Sequence, residues 1–528
     1  MPDDTTYHEP TTPPEKNIGY ISSIWAQQQR RYRTMWGLYD GSRWNEIEKG
    51  QTTGQNNEPV KRYRLEINDV AFACLTHAYT LFGEVSGDSD PLLRPVVEPK
   101  LKSSSVDVTE AQEFLDVVWA DSNARQAQFT SAVTSQVTGG TFWRVRYNLY
   151  EPQHDLFSYH PFKFEPIYPD YVFPVWATGS QEISEIYIRY RVNKDAARVK
   201  WGVWSDKWPD TVEYEEHWSS DTVHVLADAT VAKVAGRIEI RIGSGNDWRT
   251  VQRENNPFGI VPFVYIPHVP DRGFFGLPLP EWTQGLVDEY NARFANLGDL
   301  TKQAALRIGK VKGVSGDRLK VVSLWPGGPP VVHLGMGNPD GIEPSLEFED
   351  PPSITPALVD FVRELERKSR DSMFVPPVAI GQDEGSQRSA LTLSFRMWPL
   401  QSHVSTERWL WATGQERLNK IALHMAKVKG IIRTDVRNVR VISDWSPMLP
   451  RDREQLVNEM VLRDQAGHVL PEDALLAYGD TRRAEIEEKT ALLKEYVKWR
   501  EEVKAPPEPF GSSGGSNGSD PAEKEEAR

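Results

Sequence analysis

Between residues 278 and 428 two helical patterns flank a Gly- and Pro-rich insert, and a polar loop then leads into one long helical stretch. The first pattern runs through Leu286, Tyr290, Phe294, Leu297 and Leu300, spaced by three or four residues as one face of a helix requires. The insert, about 308–352, is strand-like. The second pattern runs through Ile354, Leu358, Phe361, Val362, Leu365 and Met373. Pro356 falls in its first turn, where a missing N–H costs nothing, and Pro376-Pro377 stops it. The loop Gly381-Gln-Asp-Glu-Gly-Ser386 precedes a helix expected from about Ser389 to Lys427. Pro399 lies inside that helix, where its ring clashes with the carbonyl of Phe395, so a kink is expected there.

The rest of the chain divides by periodicity. Residues 18–150 read as mainly helical, with patterns through Ile21–Trp36, Leu65–Val85 and Glu110–Val137. Gly139-Gly140 ends the third of these, and Thr141–Tyr147 alternates like a strand. Residues 160–270 read as sheet, with alternation at Ile183–Tyr190, Val212–Trp218 and Ile238–Ile242. Residues 450–504 are helical again, and the ends 1–17 and 505–528 have the composition of disordered segments. At 528 residues the chain is too long for one core, and ~150 residues per domain predicts three or four domains of an α+β protein.

Charge and cysteine content exclude several classes. Lys plus Arg is 61 against 75 Asp plus Glu, a net −14, so the chain does not coat nucleic acid through bulk positive charge. A single cysteine, Cys74, excludes a disulfide framework or a multi-cysteine metal site within one chain, and its apolar neighbours predict a buried thiol. The longest apolar run, Ile260–Val269, is half of what a bilayer span needs and holds two prolines. The N-terminus is acidic and polar, unlike a signal peptide, so a cytosol-like compartment is expected.

A search for catalytic chemistry returns nothing specific. No Walker A, HExxH, EF-hand or GxGxxG pattern occurs, and Gly511-Ser-Ser-Gly-Gly515 matches GxSxG only in the tail, with no strand before it. The 11 histidines are scattered. His217 and His224, seven apart, would face opposite sides of one strand, and satisfied structural histidines are expected. Paired carboxylates such as Glu215-Glu216 are expected at solvated edges.

The insert is unevenly charged. Residues 301–320 carry Lys302, Arg307, Lys310, Lys312, Arg318 and Lys320 against Asp317 alone. Residues 338–350 carry Asp340, Glu343, Glu347, Glu349 and Asp350 with no base. Three readings fit: two strands attracting within one chain, a basic edge meeting a neighbouring subunit's acidic edge, and a basic stretch near phosphates.

Several segments, in order, resemble those of tailed-bacteriophage portal proteins of the siphophage type. They are Leu65–Leu75, Phe114–Val137 with Gly139–Val145, Asn256–Tyr265, Gly276–Glu281 with Val287–Asn291, Gly385–Leu391, and Trp445–Arg453 with Gly467 and the helices beyond. The likeness spans about residues 20–500. It implies a portal fold with a mixed wing (18–277, with a return at 429–447), a two-helix stem (278–305 and 353–375) and a small β-containing clip (306–352). A channel loop (376–389), a long kinked helix (390–428) and a helical crown (448–504) complete it.

The resemblance further implies a homo-oligomeric ring, usually of twelve subunits, at one capsid vertex, with assembly in the host cytoplasm. Double-stranded DNA would pass through it during packaging and ejection. Terminase large subunit, a head–tail adaptor, and major capsid and scaffold proteins would be partners, with no membrane, no cofactor, no metal and no catalysis. Gln382, Asp383, Glu384, Gln387 and Arg388 would face the channel. The clip residues Arg307, Lys310, Lys312, Arg318, Lys320, Glu343, Glu347 and Glu349 would contact neighbouring subunits, terminase or adaptor. An acidic conduit suits sliding DNA, since tight phosphate binding along a channel would stall it. Two other classes predict differently. Another virion structural protein would lack the helix–insert–helix element. A carbohydrate-active enzyme, suggested by the Trp-rich strands, would act as a monomer with paired carboxylates in one cleft.

Overall fold

Continuous runs of helical and alternating residues in the first 270 positions build two sheets with helices packed on them. The structure, a computed structural model, describes residues 19–44, 67–83, 93–101, 107–147, 160–177, 182–225, 231–271, 273–304, 308–312, 320–323, 330–333, 345–349, 355–382, 390–446 and 448. It also describes positions 459, 462, 463, 490–495 and 498. Two compact units result, Met1–Pro450 and Arg451–Arg528. In the second, the described positions are helical, so most of the helical segment expected at 450–504 lies outside the described residues.

In the first unit, chain order begins with α1 (Gly19–Asp40), α2 (Asp69–Phe82), β1 (Arg94–Pro99), α3 (Thr109–Asp121) and α4 (Ala124–Thr138). There follow β2 (Gly140–Tyr147), β3 (Phe162–Ile167), β4 (Val172–Trp176), β5 (Ile183–Asn193), α5 (Lys194–Trp201) and β6 (Thr211–Ser219). The hairpin β7 (Thr222–Val225) with β8 (Val231–Val234) precedes β9 (Arg237–Ser244), β10 (Asp247–Asn255) and β11 (Phe263–Pro267). The remaining elements are α6 (Gln284–Ala304), β12 (Ile308–Lys312), β13 (Lys320–Ser323), β14 (Pro330–His333) and β15 (Ser345–Glu349). They end with α7 (Pro356–Ser372), α8 (Ala390–Val428) and β16 (Val439–Asp444). One antiparallel sheet has the order β10-β9-β6-β5-β4, a second β11-β2-β3, and β1 pairs with β16.

The helical stretch expected over Glu110–Val137 is two helices. The break falls at Ser122-Asn123, where Asn123 takes the left-handed conformation with φ 50°. Asn tolerates that region better than most residues, and neither Gly nor Pro announces the stop. The Ser122 hydroxyl donates back to the Val118 carbonyl and accepts a hydrogen bond from the Phe164 N–H at 2.8 Å, tying the break to β3. α3 and α4 can then both line the main core, where Trp119 stacks near Phe164 and donates its indole N–H to Asn419 on α8 at 2.9 Å.

The turn from α4 into β2 needs glycine for a different reason. Gly139 has φ 85°, and a Cβ there would sit 2.4 Å from the carbonyl oxygen of Gly276. Two glycines 137 positions apart in the chain therefore let the start of β2 and the strand exit after β11 touch backbone to backbone.

Expectations for the sheet change at two places. Glu215 and Glu216 are buried rather than at a solvated edge. β6 is an interior strand, and arginines from its neighbours neutralise them: Arg241 on β9 pairs with Glu215, and Arg189 on β5 pairs with Glu213 and lies 3.7 Å from Glu215. On the opposite face Arg144 of β2 bridges Glu216 at 3.0 Å and Glu165 at 2.6 Å. His217 and His224 lie on different strands, β6 and β7, so no single-strand geometry relates them. Cys74 is buried on α2, and burial pushes its thiol far above the ordinary range, as its apolar neighbours predicted.

Candidate functional site

The helix–insert–helix segment is attached to the rest of its unit by polar contacts at the helix ends. α6 buries Val287 and Tyr290, and the Asn291 side-chain oxygen accepts the Ile67 N–H at 3.0 Å. Asp288 pairs with Arg43 at 2.9 Å. α7 packs along α6, and its Arg370 reaches Asp69 in the first turn of α2 at 3.1 Å and Glu366 at 2.7 Å. Burial raises the Asp69 carboxyl, and Arg370 opposes that rise without cancelling it. α7 buries little of itself: Val362 and Ser369 are its buried residues, and Phe361 is exposed.

Two strand pairs fill the described part of the insert, β12 with β15 and β13 with β14. The antiparallel register sets Lys310 opposite Glu347, Ile308 opposite Glu349 and Lys312 opposite Ser345, and sets Lys320 opposite His333. The basic strand and the acidic strand thus meet within one chain. Arg307, Arg318 and Glu343 lie outside the described residues. In the loop, Gln382 is exposed just after the left-handed Gly381, while Asp383, Glu384, Gln387 and Arg388 lie outside the described residues.

α8 changes character at Pro399. Before it, Phe395 and Trp398 are 69% and 64% exposed. After it, Leu400, Val404, Trp411, Leu418, Leu423 and Met425 are buried in the main core. Gly414 lets the helix press on β11, since a Cβ there would fall 2.4 Å from Ile266 Cγ1. Trp409 projects outward, 73% exposed. It lies fourteen residues after Phe395 and eleven after Trp398, about three to four turns at 3.6 residues per turn, so all three aromatics fall on one side of α8.

One constellation escaped sequence reasoning. His403 and Glu407, one turn apart on α8, meet His77 from α2 and His268 from the residue after β11. Glu407 Oε1 lies 3.1 Å from His268 Nε2, 3.1 Å from His403 Nε2 and 3.5 Å from His77 Nδ1. The other carboxylate oxygen, Oε2, accepts from the Gln136 amide at 2.6 Å. Burial alone would raise the Glu407 carboxyl, but the surrounding histidines, His268 foremost, hold it well below the usual carboxylate range. Burial lowers His403. The only sequence signal was the i, i+4 spacing of His403 and Glu407; the other two side chains arrive from 326 and 135 positions before His403.

These elements form an α+β body with a helix–insert–helix arm and a long helix threading its core, and the sequence that builds them matches one class of protein. A profile of that class aligns with residues 18–495 of the 528, and the chain is a tailed-phage portal protein. More particularly, it belongs to the family described as phage portal protein, SPP1 Gp6-like. None of the curated proteins matches it. The family is structural and non-enzymatic and implies a homo-oligomeric ring in the phage capsid. Among the described residues no helix is long and apolar enough to cross a membrane.

Proposed function

We propose that the chain forms a ring of about twelve subunits at one capsid vertex, through which double-stranded DNA enters during packaging and leaves on infection. In this reading α6 and α7 are the stem, β12–β15 the clip and α8 the helix that follows the channel loop. Residues 18–277 with 429–447 form the wing, and 448–504 the crown. The clip, including Lys310, Lys312, Lys320, Glu347 and Glu349, contacts neighbouring subunits and docks terminase large subunit and a head–tail adaptor. The residues around Gln382–Arg388 face the DNA, and Pro399 bends α8 between loop and wing.

The observation that carries the reading is the aromatic face of α8. Phe395, Trp398 and Trp409 stand exposed on one helix that elsewhere threads the core. Large aromatics at that exposure are rare on an isolated chain and are the anchors that interfaces bury. A ring places a second copy beside each subunit and covers them. Native mass spectrometry with negative-stain imaging tests this: closed rings of about twelve with a central hole are expected. A strict monomer that fails to assemble even with capsid and scaffold proteins would overturn the reading.

A further inference from the structure

Three histidines and Glu407 are arranged as ligands, and the hydrogen bonds behind them say so. His268 Nδ1 lies 2.7 Å from the Leu277 carbonyl oxygen, which can only accept, so that nitrogen carries the proton. Its Nε2 is turned inward and lies 3.1 Å from Glu407 Oε1. His77 repeats the pattern. Its Nε2 donates to the Met373 carbonyl at 2.8 Å, and its Nδ1 is buried, faces the same carboxylate oxygen and has no hydrogen-bond partner. Two imidazoles with their outer nitrogens held by carbonyls thus turn their inner nitrogens on one carboxylate oxygen, in a site where His77, His268 and Glu407 are all essentially inaccessible to water. The His77 nitrogen has no hydrogen-bond partner there, and a cation held between the groups would give it one.

The spacing suits a metal ion. Tetrahedral zinc with bonds of ~2.0–2.1 Å sets its ligand atoms about 3.3 Å apart. Here the donor-to-donor distances are 3.1 Å from Glu407 to His268, 3.1 Å from Glu407 to His403, 3.2 Å from His268 to His403 and 3.5 Å from Glu407 to His77. The donor atoms of His77, His403 and Glu407 all fall within 4.8 Å of one another, so the His77 side is the looser one. The supporting shell is that of a metal site: carbonyls fix the tautomers of two histidines, and Gln136 fixes the carboxylate.

The backbone is bent to provide one of those carbonyls. α7 ends with Phe374 at φ 57°, a left-handed position where a bulky residue is disfavoured and glycine is usual. That turn presents the Met373 carbonyl to His77, and the Phe374 ring stacks on His403 with centroids 4.5 Å apart. Strain of this kind persists only where the surroundings demand it.

We propose that His77, His268, His403 and Glu407 bind a divalent transition-metal ion, zinc by preference, as a structural staple between α2, the exit of β11, the end of α7 and α8. Three imidazoles and one carboxylate are borderline donors that suit zinc or cobalt over calcium or magnesium. The closed, buried setting with four protein donors and no open position marks a structural rather than a catalytic ion. The staple does not depend on the portal reading and would hold in a single chain.

The test uses the untagged full-length chain. Metal analysis of protein purified without chelator is expected to find about one zinc per chain. After chelator treatment, added Co²⁺ is expected to give the intense visible absorption of a tetrahedral site, and added Zn²⁺ to raise the melting temperature. His403→Gln and Glu407→Gln are each expected to reduce bound metal to background and abolish both responses, while His217→Gln, remote on β6, leaves them intact. Wild-type protein that holds no metal, shows no cobalt spectrum and melts at the same temperature with and without Zn²⁺ would overturn the proposal, whatever the variants do. So would cobalt binding that survives both substitutions.

Discussion

The two ends of α8 follow the same helical rules and meet opposite surroundings. From Leu400 onward the helix is lined by Trp411, Leu418, Ala422, Leu423 and Ala426, all buried, and is the post around which the main core is packed. Before Pro399 it offers Phe395 and Trp398 to solvent, and Trp409 continues that exposed side. Hydrophobicity does not separate the two ends, because both carry large apolar side chains. What separates them is whether the described residues supply the covering surface. The buried end is finished by its own fold, whereas the described residues leave the exposed end uncovered, as the proposed ring would require.

Substitutions that break this contrast should fall in a definite order of effect on the stability of the chain. Leu423→Ala, in the buried end, is expected to cost about 2–5 kcal/mol through lost transfer energy and a cavity, read by urea unfolding. A loss under about 1 kcal/mol would mean the buried end is not a core post.

Next comes the charged layer on β3, the strand beside that core. Burial alone would raise the Glu165 carboxyl, but Arg144 and Arg146 outweigh burial and hold it at about 2. A folded-state value below the ordinary 4.5 means that its stabilisation is complete above that pH. It is lost as pH falls from 4.5 towards 2. Glu165→Gln is therefore expected to lower neutral-pH stability by about 1–3 kcal/mol and to flatten the acid limb of the stability–pH curve. An unchanged acid limb would remove Glu165 from the account.

Lys310→Glu sets two carboxylates opposite each other across β12 and β15, a cross-strand change of about 0.2–1 kcal/mol. With Lys312→Glu it is expected to weaken ring assembly or terminase docking more than chain stability. Unchanged assembly and packaging would refute a contact role for this strand.

The smallest effect on the chain should come from Phe395→Ser with Trp398→Ser, within about 0.5 kcal/mol, as for other exposed positions. Its effect on assembly should be large, with rings giving way to monomers in native mass spectrometry. A variant that unfolds instead would show that the exposed end is packed within its own chain after all.

Much of the fold was legible because it is periodic. Apolar residues at three- and four-residue steps marked α6 and α7, alternation marked β2, β5, β6 and β9, and Pro356 marked the first turn of α7. The break between α3 and α4 was hidden because Asn123 adopts its left-handed conformation for the packing of both helices, and nothing local demands it. The burial of Glu215 and Glu216 was hidden because their arginines come from three other strands.

The His–Glu cluster shows where the boundary lies. Local sequence determined which segments become helix or strand, because hydrogen-bonding period, proline geometry and glycine freedom act over a few residues. It also placed His403 and Glu407 on one face of α8. Only the tertiary structure decided that His77 and His268 would meet them, that Gly139 and Gly276 would touch, and that one end of α8 would stay uncovered by the described residues. Those outcomes depend on how faces pack over hundreds of intervening residues, and no short-range period in the chain encodes that.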